Sequence, residues 1–445
     1  MRSAALWSLI VLLWTLIPGP AVAYEPDEVR AILLNRPLDP PSDARRIVLA
    51  SRRVIDVQSK GELRTLDHLL WMAGRAGPDD EGRSRWSYRP GIEHVHILEG
   101  WIHRNDGVRE AIPADEARTG PCAAAGPDGY PGMADFVVSP RPLASGEVVE
   151  LLVEGTAVAL HRVGHYAGEH QFGGADSTIE SELVLRYPTD LPPIVWWSGA
   201  VPQERRSVLE GVTEARWLLG HLPPGSRTAR TVGSILADAP PDTVGPPVLL
   251  YAFQNDWERV VATRRRMWLG LFRSTPDTLV SAASAIASSE PEPERRLARV
   301  IERIDKDLAE IDLPAARLWF EPGELGRVHA RGAAVSRDRA AATAWLLRRV
   351  GIRADVVSVP SRRPLIEEMV FPQQLDVWLV LARPAPSVAR WLDFRPERER
   401  SRPLPMGSGV LWTAGLDEPP LIPFPGLEGE RPARPGGDDP GRPDR

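Results

Sequence analysis

The chain reads as an α+β protein of two domains, an antiparallel β-sandwich-like first half followed by a second half in which helices lead into strands. Three observations predict this. At 445 residues, the chain exceeds what one hydrophobic core usually serves. From about Arg45 to Pro188, apolar and polar residues alternate between turn signals, the period of half-buried strands. After Ala252 the apolar spacing lengthens to three and four, the period of helices.

The first 23 residues predict an export leader. Arg2 supplies the positive start, Leu6 to Ile17 the apolar stretch, and Ala21-Val22-Ala23 a small-residue site, with cleavage after Ala23. The apolar run is short for a bilayer span, and no later segment offers ~20 consecutive apolar residues. A soluble, periplasmic or secreted mature protein without a membrane span is expected. An uncleaved anchor is the alternative reading of the same stretch. No cysteine follows the leader directly, so lipid anchoring is not indicated.

In the β-rich part, assigned to 24–250, the alternation is clearest at Arg46-Ile47-Val48-Leu49, His94-Val95-His96-Ile97-Leu98, Val148 to Val153 and Ile179 to Leu185. Asn105-Asp106-Gly107 is a turn signal, and a loop-rich section is expected from there through Pro131. The part assigned to 251–422 opens with a helix near Trp257 and a second at Ser274-Thr275-Pro276-Asp277, with proline in the first turn. A third helix places Leu297, Val300, Ile301, Ile304, Leu308 and Ile311 on one face. A short helix between Ser336 and Gly351 then precedes strand-like runs at Ala354 to Val359, Val377 to Ala382 and Ala389 to Asp393. Proline, glycine and charge dominate 423–445, which predicts a disordered tail.

A net charge of -6 gives no electrostatic reason to expect nucleic acid as a partner. Cys122 is the only cysteine, so no intramolecular disulfide forms. An incidental loop thiol is its simplest reading, pairing between chains the other. The densest group of possible metal ligands is His161, His165, Glu169 and His170. Residues four apart on a strand lie about 13 Å apart, so these chelate one ion only if Gly164 or Gly168 folds them together, and no metal or other cofactor is expected. His94 and His96 share a strand face that reads as sheet surface. Gly173-Gly174 and Gly132 read as turn glycines, and Arg264-Arg265-Arg266 as a solvated helix face.

The order of elements from Trp257 to Asp393 is similar to bacterial transglutaminase-like domains. In that family a Gly-Asp-Cys segment begins a helix ending in Gly-Ile, a following strand carries a histidine, and a later Trp-Leu-Asp supplies an aspartate. Here the helix ends at Gly351-Ile352, and counting back places Ala334, Val335 and Ser336 at Gly-Asp-Cys. Arg337-Asp338-Arg339 echoes the charge run after the family's cysteine. Val377 takes the histidine position, and Trp391-Leu392-Asp393 matches the last element. The preceding half resembles domain-of-unknown-function family 3857, on Leu98 to Gly107, the Gly146 to Glu150 strand and Trp257.

The resemblance implies a papain-like α+β fold and a site without its chemistry. Acyl transfer there needs a thiolate at a helix start, an imidazole that relays protons, and a carboxylate that orients the imidazole. Ser336 is far less acidic than a thiol, Val377 takes no proton, and Asp393 has nothing to orient. Ser336 also reads as a helix N-cap, with Asp338 adding a favourable charge. The expectation is an exported non-catalytic protein that binds or scaffolds a peptide or cell-envelope polymer. The alternative is a hydrolase or acyltransferase that uses Ser336 with a displaced His329, and a third reading is a purely structural envelope component.

Overall fold

The computed structural model describes residues 23–38, 44–58, 62–74, 83–122, 133–157, 167–198, 201–224, 247–253, 257–311, 323–360, 370–371 and 374–394, with strands at 410–413 and 421–423. Residues 1–22 of the leader, His161, His165, Gly132 and the tail beyond 423 lie outside these ranges.

Helix α1 (Pro26–Leu34) precedes strands β1 (Arg46–Val57), β2 (Leu63–Ala73), β3 (Ser84–Tyr88), β4 (Glu93–His103), β5 (Arg109–Ala111), β6 (Ala117–Pro121), β7 (Ala134–Val138), β8 (Val148–Ala157), β9 (Ala167–Gln171), β10 (Ser177–Pro188), β11 (Ile194–Ser198), β12 (Glu204–Leu209), β13 (Val212–Leu222) and β14 (Val248–Ala252). Eight of them form one large sheet in the order β12-β13-β10-β1-β2-β8-β4-β5. The others form two three-stranded sheets, β3-β7-β6 and β11-β14-β9.

Side-chain alternation sorts the large sheet into two faces. On one face Trp71, Ile102, Val149, Leu151 and Val153 pack against Phe136 and Val138 of the first small sheet. Further along the same face, Ile55, Leu183, Leu185, Tyr187 and Trp217 pack against Phe172, Leu249 and Tyr251 at the second. Two small sheets thus cover one side of a large one, which is the sandwich that the period-two pattern predicts. On the opposite face α1 lays Val29 against Ile47, Leu49, Leu70 and Met72.

Two details depart from the sequence reading. All pairings in the large sheet are antiparallel except β1 with β10, which run parallel. Parallel neighbours need a long crossover, and that one passes through eight intervening strands, so local alternation carries no trace of it. The section after Gly107 is less loop-rich than expected, because β5 and β6 fall within it. Gly107 sits at φ 86°, closing the β4–β5 hairpin as the turn signal predicts. Cys122, the residue after β6, is 1% exposed, so its thiol is shielded and the reading of a bond between chains loses its basis.

The second half begins with α2 (Trp257–Arg273), α3 (Asp277–Ser289) and α4 (Pro293–Asp307). Pro276 is the N-cap of α3, one position earlier than expected. Leu297, Val300 and Ile304 of α4 are buried and Leu308 caps it, whereas Ile311 lies beyond its end. After the two-residue β15 (Ala309–Glu310) come α5 (Leu325–Arg331), β16 (Ala333–Ala334), α6 (Ser336–Arg349), β17 (Arg353–Val359), β18 (Val377–Ala385), β19 (Val388–Asp393), β20 (Val410–Thr413) and β21 (Leu421–Pro423). The last five strands form one sheet, β19-β18-β17-β20-β21.

Every residue of α6 from Arg337 to Leu347 is buried. Ala340, Ala341, Ala342 and Ala344 carry no bulk, so helices and sheet approach this helix from all sides. Gly351, at φ 85°, ends it, and the Ile352 N–H returns to the Leu347 carbonyl. The chain then doubles back as β17, clamped by Arg348, which donates to the Ala354 carbonyl at 2.6 Å and to Asp355 at 2.6 Å. Among the described residues no helix is long and apolar enough to cross a membrane.

The α1-covered face of the large sheet carries buried polar groups at Arg52, His68, Glu150 and Glu182. Burial alone would raise the Glu150 carboxyl, but bonds from His103 (2.7 Å) and His68 (3.2 Å) outweigh it and hold the group down at about 2. Its folded pKa lies below the unfolded value, so its stabilisation is complete above about pH 4.3 and is lost as pH falls toward the folded value. Glu150→Gln is expected to cost roughly 1.5–3 kcal/mol at neutral pH and to flatten the fall of denaturant midpoint on acidification. An unchanged acid limb in the variant would contradict this assignment.

Candidate functional site

The end of the second half at which α6 starts is the place where the sequence resemblance puts chemistry. Because α6 and β17 run in opposite directions across a tight turn, the start of α6 lies at the end where β17 finishes, β18 begins and β19 finishes. Ser336, Val377 and Asp393 are therefore brought to the same edge of the layer.

Their side chains do not converge. Val377 packs with Val357, Val359, Leu379 and Leu381 in one cluster, while Trp378, Val380 and Ala382 pack with α6 in another. Alternation therefore turns Val377 away from the helix. Asp393 pairs directly with Leu379 and shares its face, whereas Leu392 and Phe394 take the helix side. The helix-facing positions beside the two assigned ones are filled by an indole, an isobutyl group and a phenyl ring, none of which can take up and return a proton near neutral pH.

Ser336 is the first residue of α6, half-buried, and Val335 is the N-cap with no side-chain cap bond. The expectation that Ser336 caps the helix is corrected by one residue. A side chain in the first turn no longer lies below the free N–H groups that a cap residue meets. Among the described residues its hydroxyl makes no hydrogen bond.

The start of α6 is occupied instead by charge. Asp338, fully buried, accepts from the Gly323 N–H at 3.0 Å and from Arg337 at 2.8 and 3.2 Å, and Arg337 itself is 3% exposed. Burial pushes the Asp338 carboxyl up to about 7, and the Gly323 N–H opposes that rise. We take the pair as ionised at neutral pH, because a guanidinium forked onto a carboxylate in the interior favours the charged form strongly. Arg339, 4% exposed, pairs with Asp305 and approaches Glu310 at 3.5 Å, with its guanidinium 5.7 Å from the Phe394 ring. Asp338 is thus an internal partner and not the solvent-facing first-turn charge that its position suggests.

His329 lies on α5 and bonds Asp307 at 3.0 Å; Asp307 also accepts from Arg303. Burial raises the Asp307 carboxyl, and these two bonds more than offset it, leaving it below the usual range. Of the nine histidines, His329 is the only one after His221, so this half of the chain holds a single imidazole. That fact is legible in the sequence and settles more than the spacing of motifs does.

The remaining candidates disperse. Glu169 and His170 are neighbours on β9 with His170 buried and Glu169 exposed, so they point to opposite faces and do not share an ion. Burial, with the Arg53 charge acting the same way and Asp67 opposing, lowers His170 to about 3, the response of an imidazole kept neutral. His94 and His96 are exposed on β4, as a sheet surface requires, and His96 meets Glu154 at 3.2 Å. Gly173 takes φ 76° in the turn before β10, and Arg266 is exposed on α2. Among the described residues no three His, Cys, Asp or Glu side chains gather to hold a metal.

The family model for a domain of unknown function with a solved structure, DUF3857, matches residues 75–226, within the β-rich half. The crystal structure of a proposed protease from Parabacteroides distasonis ATCC 8503 is similar over 83% of this chain and 70% of its own, with a TM-score of 0.63 and 15% identity. At that identity the likeness is one of fold. Legionella pneumophila aminopeptidase A in complex with aspartic acid matches at a TM-score of 0.27 and 9% identity, over 50% of this chain and 22% of its own, too distant to bear on either chain. No curated protein matches the sequence.

Two substitutions separate structure from chemistry at this site. Asp338→Ala takes the Asp338 carboxylate from the buried Arg337 guanidinium and is expected to cost roughly 3–5 kcal/mol. Ser336→Ala removes a hydroxyl that bonds nothing among the described residues and is expected to stay within about 0.5 kcal/mol, below the range for a true cap. Denaturant midpoints of the two variants check both, and a larger loss at Ser336 would restore the capping role.

Proposed function

We propose that this chain is an exported, non-catalytic protein of the transglutaminase-like kind, built from a β-rich part over 24–250 and a transglutaminase-like part over 251–422. Its work is to bind or scaffold a peptide or a cell-envelope polymer. One observation carries the reading: the only imidazole of the second half, His329, is committed to Asp307, and the Ser336 hydroxyl has no hydrogen-bonding partner among the described residues.

Acyl transfer through an oxygen nucleophile needs a base in hydrogen-bond reach to take its proton. Among the described residues Ser336 has none, and the Arg337, Arg339 and Trp378 side chains offer no acceptor. Losing triad members costs on the order of 10⁴ to 10⁶ in rate, so any residual turnover falls near the uncatalysed level. A fold of this class keeps its shape when its catalysts go, because its packing rests on α6 and the sheet and not on the reacting groups. What remains is a scaffold that can still hold an acyl or peptide ligand without cleaving it. The export leader read from Arg2 to Ala23 supports a ligand outside the cytoplasm, where peptides and wall polymers are the accessible polymers of that chemistry.

Peptide-hydrolysis and amine-incorporation assays on the full chain are expected to give no turnover above buffer, and Ser336→Ala is expected to change nothing. Turnover that disappears in Ser336→Ala or in His329→Ala would overturn the reading. Co-sedimentation with purified insoluble wall polymer, and titration against a peptide library, test the binding half. Retention of neither ligand leaves no support for that half.

A further inference from the structure

At the head of α1, Tyr24 is 5% exposed and its main-chain nitrogen donates to His68 Nδ1 at 2.9 Å. His68, 3% exposed, places Nε2 at 3.2 Å from Glu150. Because Nδ1 accepts, the ring proton resides on Nε2 and is donated to the carboxylate, an assignment made from the two bonds together. The Tyr24 hydroxyl donates to Glu180 at 3.1 Å, and the Arg52 guanidinium stacks 3.9 Å from the tyrosine ring. Arg52 bonds Glu182, Glu28 and the Ala23 carbonyl, the last at 3.2 Å. His103 and Arg109 also reach Glu150, and Arg216 lies 3.7 Å from Glu182.

A main-chain N–H is a weak reason to bury an imidazole against a carboxylate. The same atom is also the one that the sequence marks for release, since Ala21-Val22-Ala23 ends the leader immediately before it.

We propose that hydrolysis of the Ala23–Tyr24 peptide bond makes this contact a docking site for the protein's own amino terminus, an α-ammonium on Tyr24 held by His68 and Glu150. The cut adds one water across the amide. It leaves a carboxylate on Ala23 in the departing leader and an amine on Tyr24, which takes up a proton because free α-amines titrate near 7.7–8. A leader peptidase supplies the catalysis. With Tyr24 buried, the bond is shielded in the folded chain, so the cut precedes folding, as removal of an export leader does.

Docking then gains over the uncut chain. The donor to His68 becomes charged, and charge-assisted bonds are roughly twice as strong as neutral ones. Glu150 faces the new cation through the neutral ring, and Glu28, Glu180 and Glu182 set negative charge nearby against Arg52 and Arg216. Arg52 loses the Ala23 carbonyl but keeps two carboxylates. The docked terminus fixes the first residue of the segment whose helix covers the α1 face of the large sheet.

The cut rests on the export reading and the dock on the geometry, so each is tested alone. A chain starting at Tyr24 is released from a fusion that leaves no added residue, and its folding is checked by circular dichroism. Limiting amine-acylating reagent at neutral pH then has three targets, the Tyr24 amine, Lys60 and Lys306, which peptide mass spectrometry resolves. The Tyr24 amine is expected to react about tenfold slower than in the urea-unfolded chain, the equivalent of one buried charged bond. His68→Ala is expected to bring it to the unfolded rate. Should that variant not fold, the chain that retains Ala23 serves instead, since its amine starts one residue outside the dock and is expected to react freely. An unfolded-like rate for Tyr24 in the folded chain overturns the dock. N-terminal sequencing of protein recovered from exporting cells that begins anywhere but Tyr24 overturns the cut.

Discussion

A helix buried on every side must take its polar first turn into the interior with it, and the second half of this protein is organised around that constraint. The turns of α6 that follow solve it with alanines, which ask nothing of their surroundings. Its first turn cannot, because Arg337, Asp338 and Arg339 carry full charges at 4% exposure or less. Arg337 and Asp338 meet each other, Asp338 also accepts the Gly323 N–H before α5, and Arg339 is met by Asp305 on α4 and Glu310 on β15. The start of α6 therefore ties helix, loop and short strand together, and the loss of a partner weakens the compensation of a charge where water does not reach it.

The same arrangement is what the proposal of a non-catalytic site rests on. A nucleophile at a helix start works because the free N–H groups there favour an anion and an imidazole stands ready to move its proton. In this chain the anion in the first turn is Asp338, already neutralised by Arg337, and the imidazole is held by Asp307 behind α5. The strand residues that face the helix are apolar or aromatic. Trp378 lies 5.8 Å from Trp268 in ring-centroid distance, so the space above the sheet is taken by packing.

The large sheet shows a different use of alternation. One face is apolar and is covered by two small sheets, so it behaves as the inside of a sandwich. The other mixes an apolar strip under α1 with the line of Arg52, His68, Glu150 and Glu182, which is buried only because Tyr24 and α1 lie over it. Charged groups at such depth persist where each finds a partner, and here they find one another.

Much of this was determined by the sequence alone. Alternation marked β1, β4, β8 and β10, spacing of three and four marked α4, and Gly351-Ile352 marked the end of α6, because these signals depend only on residues near one another in the chain. The absence of any histidine after His221 except His329 was equally legible. Tertiary structure decided the rest. Strand parity turned Val377 and Asp393 away from α6, and a shift of one position made Ser336 a first-turn residue. The parallel pairing of β1 with β10 and the gathering of Tyr24, His68 and Glu150 join residues far apart along the chain. Local patterns tell which side of an element is apolar, but which of two faces meets a given partner is fixed only when register, crossover and packing act together.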